Sequence, residues 1–154
     1  MIKVCNLYCG IGGNRKLWTN VDVTAIELNP DIAKIYQDFF PNDKVIVTDA
    51  HQYLLEHYNE FDFIWSSPPC QSHSRAKLWG WKNDDRVKKV YPDMKLYEEI
   101  VFLENYCQCK YAIENVKGYY EPLIEPQKIG RHFFWSNFII PNLKHNKSYS
   151  PLNQ

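Results

Sequence analysis

No stretch of this sequence approaches the roughly 20 consecutive apolar residues that a membrane-spanning helix needs, which excludes insertion by such a helix. The opening MIKVCNLYCG also lacks the charged head and apolar stretch of a secretion signal, so the expected location is the cytoplasm. An excess of either charge is missing too. Lys and Arg number 18 and Asp and Glu number 18, with a pI near 6.9, so nothing global advertises a polyanion partner. A cysteine framework is equally absent: five cysteines, an odd number without regular spacing, read as reduced thiols rather than as disulfide partners. Cys107-Gln108-Cys109 has no second pair to complete a zinc site and the histidines are scattered, so no metal is expected. With no repeat, low-complexity segment or linker, 154 residues imply one domain and one site.

What the sequence does have is a succession of short apolar runs with helical material between them. That is the pattern of an α/β protein whose mostly parallel sheet is covered on both faces. The runs are 2–8, 21–27, 44–47 and 61–65, with further strands expected at 111–114 and 132–138. Asn29-Pro30 offers a cap residue and a proline for the first helical position, and Ile32, Ile35, Tyr36 and Phe39 then share one face of a helix ending at Pro41. Another helix is expected from Pro92, with Leu96, Ile100 and Leu103 in one apolar line and Tyr97 and Val101 beside it. Residues 1–140 are expected to form the domain, and 141–154, without periodicity, a loop-like tail.

In open α/β sheets, ligands bind beyond the carboxyl ends of the strands. The first strand ends in Tyr8-Cys9-Gly10-Ile11-Gly12-Gly13, a turn whose missing side chains let a ligand approach the backbone. The second ends in Glu27, about twenty residues after the glycine turn, where a carboxylate can accept from both hydroxyls of a ribose. The third ends in Thr48-Asp49-Ala50, with Asp49 suited to accept from an adenine amino group. Glycine turns also close strand–helix junctions without a ligand, and an acid such as Glu27 also favours a helix start. The order of turn, acid and acid at three successive strand ends is what favours a pocket for an adenosine-containing cofactor.

The fourth strand runs into IWSSPPCQSHS, in which two prolines fix φ twice and carry Cys70 to the sheet rim on a stiff path. The fifth ends in Glu114-Asn115-Val116, a carboxylate on the neighbouring rim. A thiol and a carboxyl beside a nucleoside pocket suit covalent attack on an electrophilic ring whose nitrogen is protonated or hydrogen-bonded as the thiolate adds.

These residues in this order resemble the DNA cytosine-5 methyltransferase family. NLYCGIGG is similar to its first motif, Glu27 to its ribose-binding acid, Asp49 to its adenine-binding acid, PPCQ to its nucleophile motif and ENV to its cytosine-binding motif. The resemblance runs from the first strand to about Asn137 and implies a Rossmann-like S-adenosylmethionine-dependent methyltransferase fold. It implies a cofactor pocket made of Tyr8, Gly10, Ile11, Gly12, Glu27, Leu28, Asp49, Ala50 and Pro69. It also implies that Cys70 adds to C6 of a cytosine flipped out of DNA, with Glu114 on N3 and the exocyclic amine and Asn115 bracing the loops. From the family's Gln-x-Arg-x-Arg pattern, QKIGRHFFWSN keeps only Arg131 for the cytosine carbonyl, with His132 able to share that role. Asn6 stands where the family more often has aspartate. No target-recognition region follows, so the expected object is a catalytic half that is completed by a second chain, self-associates, or belongs to a longer enzyme.

The segment RAKLWGWKNDDRVKK interleaves Arg and Lys with Trp79 and Trp81; it reads equally as a phosphate-contacting, stack-filling loop and as a solvated loop with its tryptophans on the core. For His73, a polar loop residue is favoured over one that tunes Cys70. Two further functions remain open beside DNA methylation: a catalytically idle domain binding cofactor or nucleic acid, and the same chemistry on RNA.

Overall fold

A computed structural model of the chain describes residues 1–83, 86 and 90–142. Within these the order is β1 (Ile2–Leu7), β2 (Val21–Glu27), α1 (Pro30–Phe39), β3 (Lys44–Val47), α2 (Ala50–His57), β4 (Phe63–Ser66), α3 (Ala76–Asn83), α4 (Lys95–Tyr106), β5 (Lys110–Val116), β6 (Gln127–Ile129) and β7 (His132–Ser136). The strands form one sheet in the order β3-β2-β1-β4-β5-β7-β6. β1 pairs in parallel with β2 and β4, β2 with β3, and β4 with β5, whereas β7 is antiparallel to both β5 and β6. The chain leaves β1 toward one edge and returns through β4 toward the other, so the β1–β4 boundary is the switch point where such sheets open a crevice.

Both faces are covered, as the apolar strands require. On one side Cys5, Leu7, Ile26, Ile64 and Ile113 pack with Leu54 of α2 and Leu96, Ile100 and Leu103 of α4. On the other, Val4, Val23 and Ala25 meet Tyr36 of α1, with Trp18 and Phe40 beside them. Burying each Leu or Ile contributes about 1.5–3 kcal/mol relative to exposure, which fixes the strand registers that set the loops of the rim.

Several sequence expectations are refined. Asn29 caps α1 by accepting from Asp31 and Ile32 N–H, but the buried residues are Ala33 and Tyr36, while Ile35 and Phe39 face outward. Tyr36 wins the buried position because its hydroxyl donates to Asp43 Oδ2 at 2.7 Å and its ring packs on Phe40. α4 starts at Lys95 rather than Pro92, since Asp93 turns the chain in with its N–H on Ser72 Oγ and its side chain on Lys95 N–H. β6 leaves no signal in the sequence because three residues are too few to show alternation. Residues 76–83, expected as loop, form α3.

The view of all five cysteines as reduced is corrected for Cys107 and Cys109. They are joined by a disulfide where the chain turns from α4 into β5, a turn that leaves their Cα atoms 5.3 Å apart. Cys5, Cys9 and Cys70 are free. The expected tail beyond Asn142, Asp84, Asp85, 87–89 of the basic segment and the Trp81 side chain lie outside the described residues. Among the described residues no helix is long and apolar enough to cross a membrane.

Candidate active site at the carboxyl rim of the sheet

The loop that follows β4 is tied down almost residue by residue. Ser66 Oγ donates to Glu99 Oε2 at 2.9 Å. Ser67 Oγ accepts from Trp65 Nε1 at 2.7 Å and donates to Glu114 Oε2 at 3.4 Å. The Pro68 carbonyl accepts from Asn115 Nδ2 at 3.3 Å, and the Cys70 carbonyl accepts from the N–H groups of His73 and Ser74 at 3.0 Å each. Pro68 and Pro69 supply no N–H of their own, so these outside anchors, together with the fixed φ of proline, define the path that ends at Cys70. Cys70 is half-buried, whereas Cys5 and Cys9 lie in the core. Burial pushes both core thiols up, Cys9 to about 12, so neither supplies thiolate near neutral pH. Cys70 is the free thiol that reaches the rim.

Next to this loop lies a cleft of about 400 Å³ lined by Tyr8, Ile26, Glu27, Leu28, Asp49, Ala50, His51, Ser67, Pro68, Pro69, Gln71, His73, Asp93, Lys95 and Leu96. It therefore gathers Tyr8, Glu27, Leu28, Asp49, Ala50 and Pro69 from the expected cofactor set, and its volume falls in the range of roughly 300–1,000 Å³ usual for small-molecule sites. Gly10, Ile11 and Gly12 do not line it. Their role is in the turn: Gly10 and Gly12 take φ of +54° and +85°, and a Cβ on Gly12 would come within 2.4 Å of Phe40. The conformation and the packing on Phe40 thus account for glycine at position 12. At Gly10 a Cβ would meet nothing within 4 Å, leaving that backbone open.

Glu27 organises the cradle. Its Oε2 accepts from Gly10 N–H at 3.1 Å and its Oε1 from Asn29 N–H at 3.0 Å, which joins the glycine turn to the end of β2 and leaves further lone pairs for a ligand. Asp49 caps α2 by accepting from Gln52 N–H at 2.8 Å through one oxygen, keeping the other for a donor in the cleft. The donor-hungry acids and the apolar Ile26, Leu28, Ala50 and Leu96 between them suit an adenosine group: hydroxyls and an amine at the acids, a flat ring among the apolar walls.

Glu114 sits on β5 opposite Phe134 of β7, one step from the nucleophile loop. Beside Ser67, it has His132 Nε2 at 3.5 Å from its Oε1. Arg131 is exposed at the β6–β7 turn, where its carbonyl accepts from Lys117 N–H. Between the two residues considered for a cationic role, His132 is the one whose side chain reaches Glu114. His73, expected as a polar loop residue, is instead 2 % exposed. Its Nδ1 lies 2.6 Å from the Tyr120 hydroxyl, and burial holds its pKa below the ordinary value against a smaller pull from Asp93. In the basic segment Arg75 Nε donates to the Gly118 carbonyl, and Trp79 is 75 % exposed rather than packed on the core.

A group that nothing in the sequence singles out lies under the cleft. Glu99, fully buried in α4, accepts from the Tyr8 hydroxyl, from His51 Nδ1 at 3.1 Å and from Ser66. The hydrogen bond to Glu99 raises the His51 pKa above its ordinary value, outweighing burial, which lowers it. A raised folded-state pKa means that the pair stabilises fully below the unfolded value of about 6.5 and less as pH rises through the folded value. Thermal unfolding between about pH 6 and pH 9 is expected to show a falling midpoint that is flatter in His51→Gln. Parallel curves for the two proteins would remove His51 from the pH dependence.

Known proteins resemble this chain in sequence and in fold. A family model for C-5 cytosine-specific DNA methylases covers residues 2–122. The human tRNA (cytosine(38)-C(5))-methyltransferase is 27% identical over 125 residues, 77% of this chain and 31% of that protein. Type II methyltransferase M.FnuDI of Fusobacterium nucleatum is 30% identical over 120 residues, 76% of this chain and 33% of its own length. The chain thus spans about a third of the length of these curated relatives. Among solved structures, the yhhF protein of Escherichia coli aligns with a TM-score of 0.55 at 14% identity over 88% of this chain and 74% of that one. A TehB-like SAM-dependent methyltransferase of Corynebacterium glutamicum aligns at 0.50 and 16% identity, over 79% and 59%. At such identities the structural likeness speaks for the fold, which is that of S-adenosylmethionine-dependent methyltransferases. Taken with the family match over most of the sequence, it leads to one assignment: the chain belongs to the C-5 cytosine-specific DNA methylase family, whose cofactor is S-adenosylmethionine.

Proposed function

We propose that this chain carries the chemical half of a methyltransferase that moves the methyl group of S-adenosylmethionine to C5 of a cytosine in DNA. The observation that carries the reading is the placement of Cys70, on a loop anchored to Glu99, Glu114 and Asn115, beside the cleft lined by Glu27 and Asp49. When bound, the cofactor supplies an electrophilic methyl group. Glu27 would hold its ribose, Asp49 and Ala50 its adenine, and Tyr8, Leu28 and Pro69 the walls, with Gly10, Ile11 and Gly12 forming the turn beneath Glu27.

The thiolate of Cys70 adds to C6 while the Glu114 carboxyl gives a proton to N3 and accepts from the exocyclic amine. The electron pair pushed onto C5 takes the methyl group. Loss of the C5 proton to solvent then re-forms the double bond, expels the thiolate and returns the N3 proton to Glu114. Asn115 keeps the loop in reach through Pro68, while Arg131 donates to the cytosine carbonyl, a role that His132, 3.5 Å from Glu114, can share. Exposed Trp79, with Arg75, Lys77 and Lys82 on or beside α3, is suited to filling the stack and meeting phosphates when a base is extruded.

The proposed partner is DNA presenting a flipped cytosine, with target recognition supplied by a second chain, a second copy of this one or the remainder of a longer polypeptide. The greater length of the curated relatives supports that need. A second reading, methylation of a transfer RNA cytosine by the same residues, draws on relatives whose names specify tRNA cytosine 38. Covalent capture by 5-fluorocytosine decides between substrates, because fluorine cannot leave C5 as a proton does and the adduct persists. Capture of duplex DNA with no capture of folded RNA supports the first reading, and the reverse supports the second. Capture of neither, with cofactor bound, would leave the chain as a binding domain.

The cofactor cradle makes a separate prediction. Glu27→Ala removes the ribose acceptor and the link between β2 and the glycine turn, so the dissociation constant for S-adenosylhomocysteine is expected to rise by roughly 10- to 100-fold, the scale of hydrogen bonds to a charged group. Calorimetry reads it directly. Unchanged affinity would place the nucleoside elsewhere.

A further inference from the structure

α4 presents an apolar face to the sheet through Leu96, Ile100 and Leu103, yet a glutamate, Glu99, is buried as completely as they are. Burying a carboxylate is costly unless its lone pairs are satisfied, and packing alone would favour an aliphatic side chain here. Its three donors arrive from three strand ends: the Tyr8 hydroxyl from β1, His51 Nδ1 from α2 after β3, and Ser66 Oγ from β4. Tyr8 and His51 are walls of the cofactor cleft, both bonded to Oε1. Ser66, on Oε2, is the last residue of β4 before the rigid run to Cys70. Two prolines in that run leave few torsions to absorb a shift at Ser66, so movement there is passed on to the thiol.

Resting on the function proposed above, we propose that Glu99 is a positioning residue that couples the cofactor cleft to the nucleophile loop, holding the wall of one and the base of the other on the two oxygens of a single buried carboxylate. The His51 end is the titratable one. From α4 it faces Glu99 at 3.1 Å, Glu98 at 3.5 Å and, opposing them, Lys95, while Tyr8 from the β1 loop shares Glu99 Oε1. Protonated His51 therefore draws α2, with Asp49 and Ala50, toward α4, and cofactor affinity is greatest while that proton is held.

The test uses the full chain with S-adenosylmethionine and a duplex containing 5-fluorocytosine, reading cofactor affinity by calorimetry and capture rate at saturating cofactor by denaturing electrophoresis. Glu99→Gln, with a cooperative unfolding transition, is expected to weaken cofactor binding and to slow capture, each by about tenfold. Its affinity profile against pH should also lose the fall that wild type shows as His51 deprotonates, an effect that general loosening does not produce. A folded E99Q protein with wild-type affinity, capture rate and pH profile overturns the proposal. If E99Q does not fold, Tyr8→Phe and Ser66→Ala decide. Coupling through Glu99 makes the double variant depart from the product of the single effects by about threefold or more, and simple multiplication of effects overturns it. Wild type that neither binds the cofactor nor is captured would count against the functional reading itself. Wild type that does both, with the Glu99 variant unaffected, defeats this proposal alone.

Discussion

Cys70→Ala is expected to abolish capture of a 5-fluorocytosine duplex and to lower methyl transfer by at least about 10³-fold, the scale seen when a covalent nucleophile is removed. The physical ground is that C5 of cytosine is a poor nucleophile until a bond at C6 breaks the aromatic delocalisation, and a methyl side chain cannot form that bond. Neither other free thiol can substitute, because Cys5 and Cys9 are buried and their pKa values are raised by that burial. Cofactor binding should survive, since the cleft is lined by Pro69 and Gln71 on either side of Cys70 and not by the cysteine itself. Intact mass of the adduct after proteolysis should place the added nucleotide on the peptide holding Cys70. Capture that persists in the alanine variant would mean another nucleophile and would remove the central element of the mechanism.

The parts of this site that were legible in the sequence are those set by local chemistry. A proline pair fixes φ wherever it occurs, a carboxylate at a strand end faces the crevice because of the sheet's handed topology, and Asn29-Pro30 starts a helix by capping. Cys70, Glu27, Asp49 and Glu114 could be picked out because their positions follow from where the strands end, and the strand ends follow from the apolar runs. Glu99 could not. In sequence it reads as one more acid in KLYEEIVFLENY, beside the exposed Glu98, and only the approach of β1, α2 and β4 from distant parts of the chain shows which of the two is buried. His73 misled for the same reason. Its neighbours in sequence are polar, while its burial comes from Tyr120, some fifty residues later, through the turn after β5.

The glycine turn shows a subtler limit. Its composition suggested a backbone bared for a ligand, and at Gly10 the backbone is indeed open. At Gly12 the absent side chain makes room for Phe40 instead, a contact supplied by the far end of α1. One motif therefore meets two local demands: Gly10 N–H bonds to Glu27 at the end of β2, and the tight seat of Gly12 on Phe40 serves the core. The disulfide between Cys107 and Cys109 joins residues two apart where α4 passes into β5, a spacing read from the sequence only as an incomplete metal pair.

Glu114→Gln is expected to reduce capture and methyl transfer by about 10²- to 10⁴-fold, the usual span for loss of a general acid, with the loss in kcat rather than in cofactor affinity. Glutamine preserves the shape of the side chain and can still bond to Ser67, so the loop to Cys70 should remain in place. What it cannot do is give a proton to N3, and without that proton the negative charge built up by thiolate addition stays on the ring. Glu114 has the neighbours that such a role requires: Ser67 Oγ on one oxygen, His132 at 3.5 Å from the other, and Asn115 tying the same strand to Pro68. Substrate affinity measured on unreacted duplex should fall far less than the rate, because the group acts as charge develops on N3 and not on the resting base. An E114Q protein that captures 5-fluorocytosine within about threefold of the wild-type rate would show that N3 needs no acid from β5. The proton would then have to come from water, or from His132 across the same gap.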